Sequence, residues 1–406
     1  MKPSKTLLLV LLAGGVAASP AFAQGFVSGS DGSYGPIDIT KDTTLEMPLN
    51  GIFNCTTIKV GSGFTLKFNR NPLNTAVVLL ATGDVLINGT IDVSGANSNP
   101  AIPDGGRGGP GGFDGGKPGF TAVPPGYGFG PGGGRPGTSE SAYYSKASAG
   151  SGSYGSVAPI SGSNGSTNRG VVYGSPLLIP ILGGSGGGGT VGSPGRGGGV
   201  GGGAILIAST TKIEVQNPGR IIAWGGGPNA GRIDTDGDYN FPNAGSGGAI
   251  RLVAPVIAGN GTVSVIGGNG NVYAGHGRIR VDSIQRTGLQ FAFFPSGNTS
   301  VGSTMLVFPK PTPSLDIVSA AGTAIAEGSG PVIVQLPYNS PTAQVIKVQA
   351  KDFFSQVPIR VVLTPDNGAQ TYFDAVIDNR TDNPASTEVN VTMPVNVQVT
   401  VHVWTL

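Results

Sequence analysis

The sequence predicts an all-β protein: a parallel β-helix-like solenoid carrying a long glycine-rich insertion, then an immunoglobulin-like or fibronectin-like β-sandwich. Three observations predict it. The chain holds 72 Gly and 32 Pro in 406 residues, which disfavours helix along most of its length. Its strand signals recur in copies of about 20 residues, a period typical of stacked coils. Past Lys310, glycine becomes ordinary and the strands alternate regularly. An apolar fraction of 38% still leaves enough Val, Ile and Leu in short runs to build a core.

The N-terminus, "MKPSKTLLLVLLAGGVAASPAFAQ", sets Lys2 and Lys5 ahead of an apolar run from Leu7 to Val16 and ends in the small residues Ala21 and Ala23. This is the pattern of a secretory leader, so residues 1–23 are expected as a signal peptide cut before Gln24. The apolar run is short for a bilayer span, and no transmembrane segment is expected once the leader is removed. Loss of Lys2 and Lys5 leaves 22 basic against 22 acidic residues. A neutral chain with 11% charged residues gives no electrostatic reason to expect nucleic acid as a partner. Cys55 has no second cysteine to pair with, and its setting in "GIFNCTTIKV" predicts a buried small hydrophobe.

Three segments define the repeat: "AVVLLATGDVLINGTIDVSG" from Ala76, "AILIASTTKIEVQNPGRIIAWGG" from Ala204 and "AIRLVAPVIAGNGTVSVIGG" from Ala249. Each reads strand, turn, short strand, Gly corner, strand, glycine. Aligned, Ile250 and Leu252 match Ile205 and Ile207, whereas Arg251 matches Leu206. Strand alternation then turns the matched apolar pair inward and Arg251 outward. "GRIRVD" at Gly277 follows suit, with Ile279 and Val281 inside and Arg278 and Arg280 outside; "TTIKVGSGFTLKF" from Thr56 reads as a degenerate coil. A sandwich of hairpins is the rival arrangement, but hairpins would not keep this register.

The solenoid is expected over residues 24–309, with residues 96–203 as its insertion. From Gly183 to Gly203 every third residue is Gly, at 183, 186, 189, 192, 195, 198 and 201. Polyproline-II-like chains have three residues per turn and pack closely only through glycine. Packed Gly-rich chains and a flexible low-complexity loop both remain open. Pro309, Pro311 and Pro313 mark a stiff linker at residues 310–313. In residues 314–406, "PVIVQL", "QVIKVQA", "IRVVLT", "TYFDAVID", "EVNVTM" and "PVNVQVTVHVW" contribute to about seven strands, the count of an immunoglobulin-like sandwich.

The order of leader, "VVLLATGDVLINGTIDVSG", a Gly-rich tract, "PLLIPILGGSGGGG", "GGGAILIAS" and "GSGGAIRLVAP" resembles a group of uncharacterised glycine-rich exported bacterial proteins. The resemblance runs to about Pro309 and implies a β-helix-like exported protein, with no activity attached.

Pectin-degrading enzymes share β-helical architecture, and "AGHGRIRV" at Ala274 looks like the Gly-His-Gly and Arg-Ile-Lys elements of polygalacturonases. Those enzymes also need paired carboxylates as general acid and base. The matching acidic segments are missing here, so His276 is expected as a corner residue. Two histidines in the whole chain leave little base for an activated serine. Asp234, Asp236 and Asp238 in "RIDTDGDYNF" are the one acidic cluster, spaced to converge on calcium if the loop wraps an ion; without Ca2+ they form a solvated turn, and no other cofactor is expected. Among the aromatic residues of the insertion, Tyr127, Phe129, Tyr143 and Tyr144 are candidates for surface recognition of a sugar or partner. The expectation is thus a secreted or cell-surface structural or adhesive protein, not an enzyme, with polysaccharide or cell-surface components as partners. The alternative is a polysaccharide lyase or glycoside hydrolase.

Overall fold

The computed structural model describes residues 25–97, 105–120, 122–137, 149–159, 168–191, 195–227, 244–269 and 274–406. The expected leader and its cleavage site before Gln24 lie outside these residues. The chain is all-β; its only helical element among the described residues is a single 3-10 turn at Ser296–Asn298. No helix among them is long and apolar enough to cross a membrane.

All strand pairs between Gly35 and Gly302 are parallel, and they form three ladders. The first joins Ile52–Val60, Val77–Ala81, Ala204–Ser209, Ala249–Ala258, Arg278–Gln285 and Thr299–Gly302 in that order. A second joins the later half of Ile52–Val60 to Gly35–Ile39 on one side and, on the other, to Val85–Ile87, Lys212–Val215 and the end of Ala249–Ala258. The third stacks Thr43–Glu46, Thr65–Asn69, Thr90–Asp92, Arg220–Ile222, Thr262–Ser264 and Ala292–Phe294.

One apolar column from each ladder meets in a common core. Phe53, Leu79, Ile207, Leu252 and Val281 form the first column, Ile58, Val85, Ile213 and Ile257 the second, and Leu66, Ile91, Ile221 and Val263 the third. The register expected from the aligned copies is the register found: Ile250 pairs with Ile205, Leu252 with Ile207 and Arg251 with Leu206. Cys55 lies in this core with no exposed surface, and burial pushes its thiol up to about 12.

The expected outward placement of Arg251 and Arg280 is overturned. Their face of the first ladder is covered by a second apolar layer in which Val78, Leu80, Leu206 and Val253 pack under Phe26, Ile181, Met305, Val307 and Phe308. Arg251 is fully buried and Arg280 nearly so. Alternation had fixed the face correctly, but the chain folds back over it.

The glycine-rich tract is a hydrogen-bonded layer. Phe113, Gly116 and Gly119 donate their N–H groups to the carbonyls of Gly184, Gly187 and Thr190 at 2.9, 2.9 and 3.0 Å. Gly184, Gly187 and Thr190 donate in turn to Gly202, Gly199 and Arg196 at 2.8, 2.8 and 2.9 Å. Bonds recur at every third residue, the repeat of polyproline-II-like chains. Of the seven phased glycines, Gly192 lies outside the described residues. At each of the other six, a Cβ would fall closer than 3.0 Å to a neighbouring backbone carbonyl.

The same layer explains why strands emerge from glycine runs. Gly203, Gly248 and Gly277 precede three successive strands of the first ladder, Ala204–Ser209, Ala249–Ala258 and Arg278–Gln285, and stack directly on one another: Ala249 N–H bonds Gly203 O and Arg278 N–H bonds Gly248 O, both at 3.0 Å. A Cβ on Gly248 or Gly277 would meet the carbonyl of the glycine in the preceding rung.

After Pro309, two antiparallel sheets share a separate core. One contains Ser314–Ala320, Thr323–Ala324, Ala343–Lys351 and Ala385–Thr392; the other contains Gln356–Pro365, Thr371–Asp378 and Val399–Thr405. Seven strands are present, but not the expected set. Pro331–Leu336 forms no strand and leaves Ile333 94% exposed. The last strand starts at Val399 because Asn396 takes a left-handed φ of 58°, which breaks the pleat.

Candidate recognition surface

Unlike the first ladder, the third keeps part of its outward face open. Its outward columns run Thr65, Thr90, Arg220, Thr262, Ala292 and Lys67, Asp92, Ile222, Ser264, Phe294. Around Arg220 and Phe294 these columns form an open groove of about 400 Å³, lined also by Asn217, Trp224, Thr262 and Ser264. That volume sits at the low end of small-molecule sites.

Trp224 is fixed there from two sides. Its indole N–H donates to Ser264 Oγ at 2.7 Å, and the Arg220 guanidinium lies 5.6 Å from the ring centroid. Arg220 is exposed and has no carboxylate within ion-pair distance among the described residues, whereas neighbouring Lys67 pairs with Asp92 at 3.5 Å. Phe294 is 48% exposed across the groove. Among the described residues the arrangement offers aromatic surface, hydroxyls and one cation without an ion-pair partner, and no general acid–base pair.

Of the residues proposed from sequence, the described Tyr127 and Phe129 do not line this groove. Asp234, Asp236, Asp238, Tyr143 and Tyr144 lie outside the described residues, and no group able to hold a metal ion occurs among the described ones. Tyr127 is half-buried. Phe129 is not a free surface ring: it packs edge-on against His402 of the C-terminal sheets at 6.2 Å, because those sheets dock on the glycine layer. His276 does sit at a corner, its Nδ1 accepting from Gly267 N–H at 3.1 Å and its own N–H donating to Ser156 Oγ at 2.9 Å. Burial holds its pKa below the ordinary histidine value. Arg278 reaches Tyr173 O at 3.2 Å and lies 5.8 Å from the Tyr154 ring. Neither contacts a carboxylate in these bonds.

Sequence reasoning missed two constellations. One is the buried pair of arginines around Asp282, signalled by an Asp two residues after Arg280 on the same strand face. Asp282 accepts from Arg280 Nη2 at 2.6 Å and Nε at 2.9 Å, from Arg251 Nη2 at 3.3 Å, and from Thr304 N–H at 2.9 Å. Arg251 also donates to Leu306 O and Val307 O. The charges pin the covering segment to the ladder.

The other is the docking of the C-terminal sheets. Lys117 pairs with Asp366 at 2.5 Å, Asn367 donates to Pro124 O at 2.9 Å, and His402 stacks on Trp404 while meeting the edges of Phe113 and Phe129. The His402 Nδ1 is buried without a hydrogen-bond partner. Burial pulls its pKa down to about 4, with Arg70 adding to the effect and Asp114 opposing it. Since the folded-state pKa lies below the unfolded value of about 6.5, the unfolded chain takes up the proton first on acidification. Stability from this group is complete above pH 6.5, falls as the pH drops toward 4, and levels off below. The loss is at most about 3 kcal/mol and smaller for the part of the ring that reaches solvent. His402→Phe should keep the ring contacts and flatten this slope in urea titrations between pH 7 and 4; an unchanged slope would assign the dependence to other groups.

Comparison with known proteins gives no match: no family model, no curated protein and no solved structure is similar to this chain.

Proposed function

We propose that the protein is an exported structural or adhesive protein of the bacterial cell surface or matrix. In this reading the three parallel ladders are the faces of a β-helix-like solenoid, the Gly-rich insertion is a rigid side layer, and the C-terminal sheets are an immunoglobulin-like module docked on it. The observation that carries the reading is the interlocked glycine layer. It commits a long glycine-rich tract to backbone packing that favours stiffness and leaves few proton-transfer groups. The resemblance to glycine-rich exported bacterial proteins agrees with it.

The test uses the mature chain, residues 24–406. It should be retained on insoluble polysaccharide or on whole cells, and should leave pectin and alginate uncut over long incubation. Release of reducing or unsaturated ends, abolished by His276→Ala or Arg278→Ala, would replace this reading with the β-helix enzyme.

A further inference from the structure

We infer that the groove at Trp224 is a binding site for an acidic polysaccharide, a chain of uronate-type sugars. The inference deepens the adhesive reading and rests on it. A pyranose ring presents C–H groups on its faces and hydroxyls at its rim, and a uronate adds a carboxylate. The groove offers counterparts for all three.

Apolar contact comes from Trp224 and Phe294. The Trp224 ring is held by its bond to Ser264, so it loses little rotamer freedom on binding. Phe294 stands one strand beyond Ser264 in the same outward column, about 4.8 Å along the ladder. Hydroxyl partners come from Thr262 and the exposed Asn217.

The charge comes from Arg220. Its guanidinium stands beside the aromatic surface with no acidic partner among the described residues, so a carboxylate there gains a charge-assisted bond from a fork shaped for bidentate contact. A neutral sugar would leave that fork unused. The ladder itself suits a polymer, because the outward face of Thr65, Thr90, Arg220, Thr262 and Ala292 is a straight run at constant strand spacing.

Affinity electrophoresis of the mature protein in gels containing polygalacturonate, alginate or dextran tests it. The wild type should be retarded by the two polyuronates and not by dextran. Trp224→Ala and Arg220→Gln should each weaken that retardation roughly tenfold, as loss of an aromatic or guanidinium contact predicts. Tyr338→Ser, at a 92% exposed turn residue between two strands of the C-terminal region, should leave it unchanged. Melting temperatures of all variants check that the fold persists. Equal retardation of wild type and both groove variants would overturn the site. Equal retardation by dextran, insensitive to Arg220→Gln, would overturn the acidic specificity. Retention on cells without retardation by any polyuronate would sink this inference and leave the adhesive function standing; failure of both would remove the function as well.

Discussion

Replacing Asp282 by alanine is expected to lower the unfolding free energy of the ladder body by about 3–5 kcal/mol. Arg251 and Arg280 occupy paired positions on adjacent parallel strands, and like charges so placed repel. Asp282, two residues after Arg280 and therefore on the same face, sets one carboxylate between them with no exposed side-chain surface. Removing it leaves two guanidiniums in a covered layer beside one counterion fewer. Thr304 N–H loses its acceptor at the same time.

The expected loss is that of an uncompensated buried charge, not the net worth of the ion pairs. A triple replacement of Arg251, Arg280 and Asp282 by leucine or methionine should therefore recover much of the stability. The chain has two tryptophans, Trp224 beside the ladders and Trp404 in the last strand of the C-terminal sheets, so a Trp404→Phe background lets Trp224 report the ladders alone in a urea titration. A shift in midpoint worth less than about 1 kcal/mol at constant m would show that solvent reaches the arginines in solution. Preserved stability in Asp282→Ala together with loss of stability in the leucine variant would sink the account entirely.

The register of the ladders was legible in the sequence because each copy repeats the same alternation. Ile205, Ile250 and Ile279 fall in one column through a period that needs no knowledge of tertiary structure. What alternation cannot state is whether the opposite face meets water. Arg251 looked exposed because the residues that cover it, Met305 to Phe308, arrive from the far end of the stack. The groove was hidden for a similar reason. Trp224 follows its strand as an isolated aromatic in "IIAWGGG", and only pairing of the strands brings it to Ser264 and Phe294 from later strands of the ladder. In the C-terminal region, Pro331–Leu336 alternates as well as any strand but pairs with no strand among the described residues, while Ser314–Ala320, next to the Pro-rich segment, pairs with Ala343–Lys351. Pairing decides a strand, and local pattern only permits it.

The glycine phase was legible as a pattern but not as a structure, and it carries the other large expected effect. Gly186→Val, Gly195→Val and Gly201→Val should each destabilise by more than about 3 kcal/mol, beyond ordinary overpacking, or prevent folding. At these positions a Cβ falls closer than 3.0 Å to the carbonyl oxygens of Asp114, Gly119 and Gly184, which are backbone atoms without rotamers to change. Yielding by the neighbour would break its own bonds: Asp114 O accepts from Phe129 N–H at 3.0 Å, and Gly184 O accepts from Phe113 N–H at 2.9 Å. Shifting Gly201 also moves Gly203, which bonds Val93 O at 2.8 Å at the end of a ladder strand, so the disturbance reaches the core. Gly297 serves as control, because nothing lies within 4 Å of its added Cβ; Gly297→Ala should stay within about 0.5 kcal/mol of the wild type. Thermal melting of the four variants reads the contrast. If Gly186→Val and Gly201→Val melt with Gly297→Ala and the wild type, the tract is a loose loop, and the stiffness from which the structural role is argued goes with it.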